Sequence, residues 1–291
     1  MQLKRYLSLS EILIIAFLLA LTSLVVLPFL YMFAVSFSSP SESMAGNFYV
    51  WPQVWNDDAY RYLFSSTRFV LAIWNTVKLT AMGTVINLIL SVTLSYALSK
   101  KFLPGRRGMM MLIFFTMLFG GGLIPTYLLV KWLGLVNSLW ALILPGATNA
   151  FTVMVMKTFF QGLPESLDEA ARIDGAGELK ILLHVVIPLS MPIIATFSLF
   201  FMVSHWNEFF GAIIYLNDTS KWPIQPLLRQ MVLVGSSNIS AEAAIDEQLA
   251  ATLGANVKMA AILIAMAPIV AVYPFLQKYF AKGALVGSVK E

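Results

Sequence analysis

Six long apolar stretches set the terms on which this chain can fold. They run roughly over Ile12–Phe33, Leu79–Leu98, Met109–Leu129, Leu139–Phe160, Ile193–Leu216 and Met259–Phe280. A helix needs about 20 such residues to cross a hydrocarbon core of roughly 30 Å. No water is available in that core, so the backbone must bond to itself, and uninterrupted apolar runs of this length do so as helices. The expected fold class is all-α: a polytopic membrane protein with six transmembrane helices. Composition agrees, at 59% hydrophobic and 12% charged, against about 25% charged in soluble domains. The absence of cysteine excludes a disulfide framework, a thiolate metal site and a cysteine nucleophile. The first run is too long for the core of a cleavable signal peptide and has no small-x-small cleavage site.

Six crossings put both ends of the chain on one side, and the basic residues say which. Lys4, Arg5, Lys100, Lys101, Arg106, Arg107, Lys157, Arg172, Lys180, Lys278, Lys282 and Lys290 all fall on that side, twelve of the 19 Lys and Arg. The excess of positive charge marks it as cytoplasmic. A sequence pI near 9.2 is thereby read as a topology signal, and no nucleic-acid partner is expected. On the outer side, Phe48–Trp55 and Tyr60–Tyr62 concentrate aromatic rings with polar edges, as in chain lying among lipid headgroups. A second outer segment, Asn217 to Val257, includes a short helix expected at Ala241–Leu253 and is long enough to serve as a recognition surface. The division expected is 1–68, a first helix with the aromatic segment, and 69–291, a five-helix core with a cytoplasmic loop at 161–192.

That loop is the one polar insert with strong turn punctuation. Pro164 suits a first helical turn, Glu165, Asp168 and Glu169 complement a helix N-terminus, and Gly175 after Asp174 can take the left-handed conformation that stops a helix. A helix over Pro164–Asp174 is expected, with Leu167, Ala170, Ala171 and Asp174 on a narrow, small-sided face. A second helix resumes over Glu178–Ile187, and Pro188 and Pro192 turn the chain into the fifth span.

Glu169-Ala-Ala-Arg-Ile-Asp-Gly175, followed by Val185-Val-Ile-Pro188, resembles the EAA motif of ABC importer permeases, with Val185 and Ile187 as conservative departures. The likeness extends over nearly the whole chain. Gly120-Gly-Gly-Leu-Ile-Pro-Thr-Tyr127, Gly134–Ser138, Trp206–Phe209 and Lys278–Gly283 are similar to the carbohydrate-uptake branch, and the first of these to the subgroup handling polysaccharide-derived oligosaccharides such as alginate or rhamnogalacturonan fragments. The resemblance implies a type I permease in the bacterial cytoplasmic membrane. It also implies a second homologous permease, an ATPase dimer, an extracytoplasmic solute-binding protein and a carbohydrate substrate. Glu169, Ala170, Ala171, Asp174, Gly175 and Pro188 would form the element that docks on the ATPase. No Gly-x-x-x-x-Gly-Lys-Ser/Thr phosphate loop occurs in the chain, so ATP and Mg are expected on the partner and no cofactor on this subunit.

Candidate pathway residues are Glu208, Asn207 and Trp206 in the fifth span, with Tyr127 and Asn149 from others. A carboxylate at membrane depth is costly and faces a bundle interior or an aqueous cavity; Glu208 lines a route or fixes packing through a hydrogen bond. Ser204 beside His205 is no hydrolytic pair, because adjacent helical residues point about 100° apart. Gly120–Gly122 before Pro125 should break the third span, as a hinge or a close-packing site. A secondary transporter driven by an ion gradient is the alternative, but it calls for an inverted repeat and a midplane ion site, and the sequence gives neither convincingly. A purely structural scaffold would leave the cytoplasmic loop unexplained.

Overall fold

The computed structural model describes residues 8–233, 254–272 and 274. The helix expected at Ala241–Leu253, the tail from Ala281 to Glu291, and Lys4, Arg5, Lys278, Lys282 and Lys290 lie outside the described residues. Among the described residues the architecture is helical, with one isolated antiparallel bridge, Ser38 to Trp55. Three helices are long and apolar enough to cross a membrane alone, α1 (Leu9–Ser36), α4 (Thr67–Ser99) and the last, Gly254–Val272; counting each bent helix pair as one span raises the number to six. The described residues separate into two compact units, 8–70 with 228–233 and 254–267, and 71–227 with 268–272 and 274.

In the first unit, α1 begins with a reciprocal cap: Ser8 accepts from the Glu11 backbone, and Glu11 accepts from the Ser8 N–H at 2.7 Å. Its apolar side chains are exposed along most of its length, as suits a helix bathed in lipid, and burial begins only at Ala34, Val35 and Ser36. Beyond it come α2 (Pro40–Met44) and α3 (Asp58–Ser65). Asn256, 1% exposed, ties these elements together: its amide donates to the Val35 and Ser38 carbonyls, both at 2.8 Å, and its oxygen accepts from Ser43 Oγ at 2.6 Å. The aromatic segment packs on itself, Tyr31 stacked on Phe48 at 5.3 Å and Phe37 on Tyr60 at 4.5 Å, while Trp51 and Trp55 stay exposed.

The second unit is built round α4, whose 33 residues form an unbroken helix about 50 Å long. Its buried face carries a polar line among apolar side chains. Thr84, Asn87, Ser91 and Ser95 recur three or four residues apart, Thr76 lies two turns before them, and all are buried. Thr76 accepts from the Ile224 N–H at 2.7 Å, Asn87 pairs with His205 at 3.2 Å, Ser91 with Thr148 at 3.0 Å, and Ser95 donates to the Val153 carbonyl at 3.2 Å. Lipid is as apolar as leucine, so small polar side chains that let backbones approach and then bond across helices hold such a bundle.

The remaining spans are interrupted. The third bends by 119° between α5 (Arg106–Leu118) and α6 (Leu123–Trp132), at the glycine run. Thirteen residues cover only about 20 Å, so Met109–Leu129 does not cross as one helix, and the break falls at Gly120–Gly122 as the sequence leads one to expect. Gly122 takes a φ of +80°, and α6 leaves at a steep angle. The fourth bends by 55° between α7 (Trp140–Ile143), extended by a tight turn to Gly146, and α8 (Ala150–Gln161). Two apolar clusters lie at different heights along α4. One gathers Leu79, Ile143 and Leu216, the other Tyr96, Met156, Ile181 and Phe201.

Gly83 on α4 has no room for a side chain, since a Cβ there would overlap the His205 ring. Gly83→Ala should therefore destabilise the protein by about 1–3 kcal/mol. Thermal unfolding of the purified protein measures this, and the penalty should vanish when the same change is made in a His205→Ala background.

Candidate functional site

The polar insert folds into α9 (Glu165–Ile173), α10 (Glu178–Ile181), a π turn over Leu182–Val186 and α11 (Ile187–Leu189). Pro164 caps α9 from outside, so the helix is one residue shorter at each end than Pro164–Asp174. Its stop is a Schellman motif: the Ala176 N–H bonds to the Ala171 carbonyl at 2.9 Å and the Gly175 N–H to the Arg172 carbonyl at 3.0 Å. Gly175 stands at φ +75° with Asp174 as the C-cap. The sequence places this cap correctly because only glycine adopts such a φ at little cost.

The face that packs inward is a single narrow edge. Ala171 and, after the turn, Ala176 rest on the apolar cluster around Tyr96 and Ile181. Leu167, Glu169, Ala170 and Asp174 stay exposed, and Ile173 is 87% exposed. The small-sided face expected from Leu167, Ala170, Ala171 and Asp174 is therefore split: Ala171 packs within the chain and the others face outward. Beyond α10, Pro188 has no N–H for the carbonyl a turn earlier. The preceding π turn is where the helix takes up that mismatch. The chain turns by 85° at Ser190, between the two prolines, before α12 (Met191–Trp206).

Ion pairs fasten α9 to the loop that follows α4. Lys100 bonds to Asp168, Lys101 to Glu165 and Arg172 to Glu178. The Lys100 ammonium also lies over the Tyr96 ring at 4.5 Å, and the Arg172 guanidinium over Phe102 at 4.9 Å. Tyr96 donates its hydroxyl proton to Glu178 Oε2 at 2.7 Å. A recess of about 410 Å³ lies between loop and helix, lined among others by Lys100, Phe102, Gln161, Glu165 and Asp168. Lys100, Lys101 and Arg172 count in the sequence only as topology markers. The Lys100 and Lys101 pairs join residues 68 and 64 positions apart and have no local signal, whereas Arg172 and Glu178 are six apart.

The five pathway candidates do not converge on one cavity. Glu208 sits in the break between α12 and α13 (Phe210–Tyr215), where its carboxylate accepts from the Gly211 N–H at 2.8 Å. A carboxylate there satisfies and complements the positive end of a helix. Asn207 is exposed, donating to the Val203 carbonyl at 2.9 Å and accepting from Gln225 at 3.3 Å. Trp206 is buried and lines an apolar groove of about 150 Å³ with Thr80, Met202 and Pro268. Tyr127 stacks on Tyr215 at 6.0 Å, and Asn149 caps α8 by accepting from the Thr152 N–H at 2.9 Å. Missed from the sequence was the Asn87–His205 contact. The three- and four-residue spacing of polar residues along α4 was the available clue.

Among the described residues, a helical membrane bundle with a structured polar insert, a capped helix held to the bundle by an edge and facing outward with an apolar end, is the frame of a transport permease. The chain belongs to the family of binding-protein-dependent transport system inner membrane components, whose profile matches residues 4–286. It is 47% identical over 288 residues to the polygalacturonan/rhamnogalacturonan transport system permease protein YtcP of Bacillus subtilis strain 168, covering 97% of this chain and 98% of that one. It is 45% identical over 276 residues to protein LplC of the same organism, covering 95% and 93%. Among solved structures it is similar to a bacterial ABC transporter involved in the import of the acidic polysaccharide alginate, with a TM-score of 0.86 and 32% identity, covering 95% of this chain and all of that one.

Proline at position 175 can neither donate the capping N–H nor adopt φ +75°. Gly175→Pro should leave membrane insertion unchanged and abolish substrate-stimulated ATP turnover by the assembled transporter. Quantitative blotting of membranes and a phosphate-release assay check the two halves.

Proposed function

We propose that this chain is one permease subunit of an ATP-driven importer that carries an acidic oligosaccharide across the cytoplasmic membrane. It works with a second homologous permease, an ATPase dimer on the cytoplasmic face and an extracytoplasmic solute-binding protein. The observation that carries the reading is α9. A water-facing helix that exposes Ile173 and Leu167 while a glycine stop and ion pairs hold it in place is built to be gripped by another protein. Glu169, Ala170, Ala171, Asp174, Gly175 and Pro188 form this coupling element. ATP and Mg belong to the partner, and the subunit performs no bond chemistry of its own.

Orientation follows from charge. Lys100 and Lys101 meet α9, which itself carries Arg172, and by the positive-inside bias that end lies in the cytoplasm with both termini. An acidic sugar is supported by the relatives, one named for polygalacturonan and rhamnogalacturonan and the other for the acidic polysaccharide alginate. Asn207, exposed beside the break in the fifth span, and Glu208 next to it are the residues assigned to the route; Trp206, Tyr127 and Asn149 act through the packing and capping contacts described above. Reconstitution decides between energy sources. Uptake of galacturonate oligomers should require ATP and the ATPase and proceed without an ion gradient, and uptake by this chain alone on a gradient would overturn the reading. Malto-oligosaccharides of equal length should be poor competitors.

Glu208→Gln keeps an oxygen that can accept from Gly211, whereas Glu208→Ala leaves that helix end uncapped at a cost of about 1 kcal/mol. Gln should therefore retain more uptake than Ala at equal membrane abundance. Equal, wild-type uptake by both would remove Glu208 from the route.

A further inference from the structure

Besides the short link through Gly162–Pro164 to α8, two routes lead from α9 toward α12, and they differ in stiffness. The covalent one passes through the Gly175–Gly177 turn, four residues of α10, the π turn, α11 and the 85° bend at Ser190 before it reaches α12. A path with that many joints is compliant, and bends and π turns are where helices yield. The other route is non-covalent and short. It runs from Asp168 on α9 to Lys100, just past the end of α4.

The second route has the features of a fixed joint. The Lys100 side chain is 12% exposed and that of Asp168 28%, whereas Lys101 and Glu165 are both mostly in solvent. Exposed pairs of the latter kind contribute little. A half-buried pair is different, because removing one partner strands a charge. The inner end of α4 is closed as well: Arg106 Nε donates to the Leu98 carbonyl at 2.8 Å, and Gln161 donates to the Ser99 carbonyl at 3.3 Å. These bonds occupy carbonyls that a helix end would otherwise leave open. Tyr96, on the same end, reaches Glu178 and so holds the start of α10. From this anchor α4 runs without a break and is bonded sideways at successive levels, Ser95 to α8, Ser91 to Thr148 and Asn87 to His205 of α12.

We propose that α4 is a strut through which displacement of α9 enters the membrane bundle, with Lys100 and Asp168 as the positioning residues that join the two. The inference rests on the coupling role given to α9 above and adds the path. The pair keeps α9 and α4 moving as one body, so that a push on the exposed face of α9 reaches α12 through the hydrogen bonds of α4 as well as around the Ser190 bend. Lys101 and Glu165, in solvent, are dispensable for this.

The native chain lacks cysteine, so two introduced cysteines carry the only spin labels on it. Labels at Thr93→Cys on α4 and Ser166→Cys on α9, in the full transporter with cysteine-free partners in lipid nanodiscs, report the distance between the two helices. In the unsubstituted background the distance distribution should be the same without nucleotide and with ATP and vanadate. Lys100→Asp should broaden it and lower ATP-driven uptake of galacturonate oligomers by about two- to thirtyfold. The exchange Lys100→Asp with Asp168→Lys should restore both, and Lys101→Asp should change neither. An unchanged distribution in Lys100→Asp, an exchange as defective as the single variant, or labels that separate on trapping in the unsubstituted background would each overturn the inference. Failure of the ATPase to copurify with the unsubstituted chain would instead sink the coupling role itself.

Discussion

Every turn of this protein answers to the absence of water in the hydrocarbon core. A backbone N–H or carbonyl left unpaired there costs several kcal/mol, so a span that stops early must bring its own partners. The interruptions do so with side chains placed at the breaks. Asn149 caps α8, Glu208 meets the start of α13, and Thr126 donates to the Gly122 carbonyl at 2.7 Å where the third span turns. Ser190, at the sharpest approach to α12, donates its N–H to the Val186 carbonyl at 2.9 Å. Polar residues thus mark the ends of helices as well as the buried side of α4, and two of the residues singled out in the sequence as pathway candidates, Asn149 and Glu208, meet helix starts.

The same constraint explains the polar line on α4. In a water-soluble bundle Val77, Val85, Ile89 and Leu90 would face inward, but in lipid they lose nothing by facing outward, so packing rather than water exclusion decides which residues meet. Thr76, Asn87, Ser91 and Ser95 are small enough to allow close approach and each has a bond across the interface. Gly83 carries the principle to its limit by giving its entire side-chain volume to the His205 ring.

Legibility of the sequence followed the range of each interaction. The helical class, the positions of the apolar runs, the break at Gly120–Gly122 and the glycine stop at 175 are local properties of a few consecutive residues. The motif around Glu169 was readable for the same reason, and the family match bears out the resemblance drawn from it. The bend in the fourth span was not readable, because an apolar run of sufficient length looks the same whether it crosses at once or turns by 55° midway. Nor was the Lys100–Asp168 pair, whose partners are 68 positions apart, or the fact that Glu208 accepts from a helix three residues on rather than from a neighbouring span. Length and hydropathy fix that a segment is in the membrane; they are silent about which azimuth it presents.

Azimuth is what the π turn at Leu182–Val186 controls. A π turn holds one residue more than an α turn of the same rise, and one residue corresponds to about 100° of rotation about the axis. If that residue were deleted and the segment closed into ordinary α-helix, the 85° bend at Ser190 would leave about 100° further round the α10 axis, and His205 would no longer meet Asn87. The segment between Gly177 and Ser190 thus behaves as a phase setter: its residue count, more than its composition, decides where the fifth span is aimed. Substitutions along it are matters of packing, whereas a single insertion or deletion is a change of orientation for the whole span.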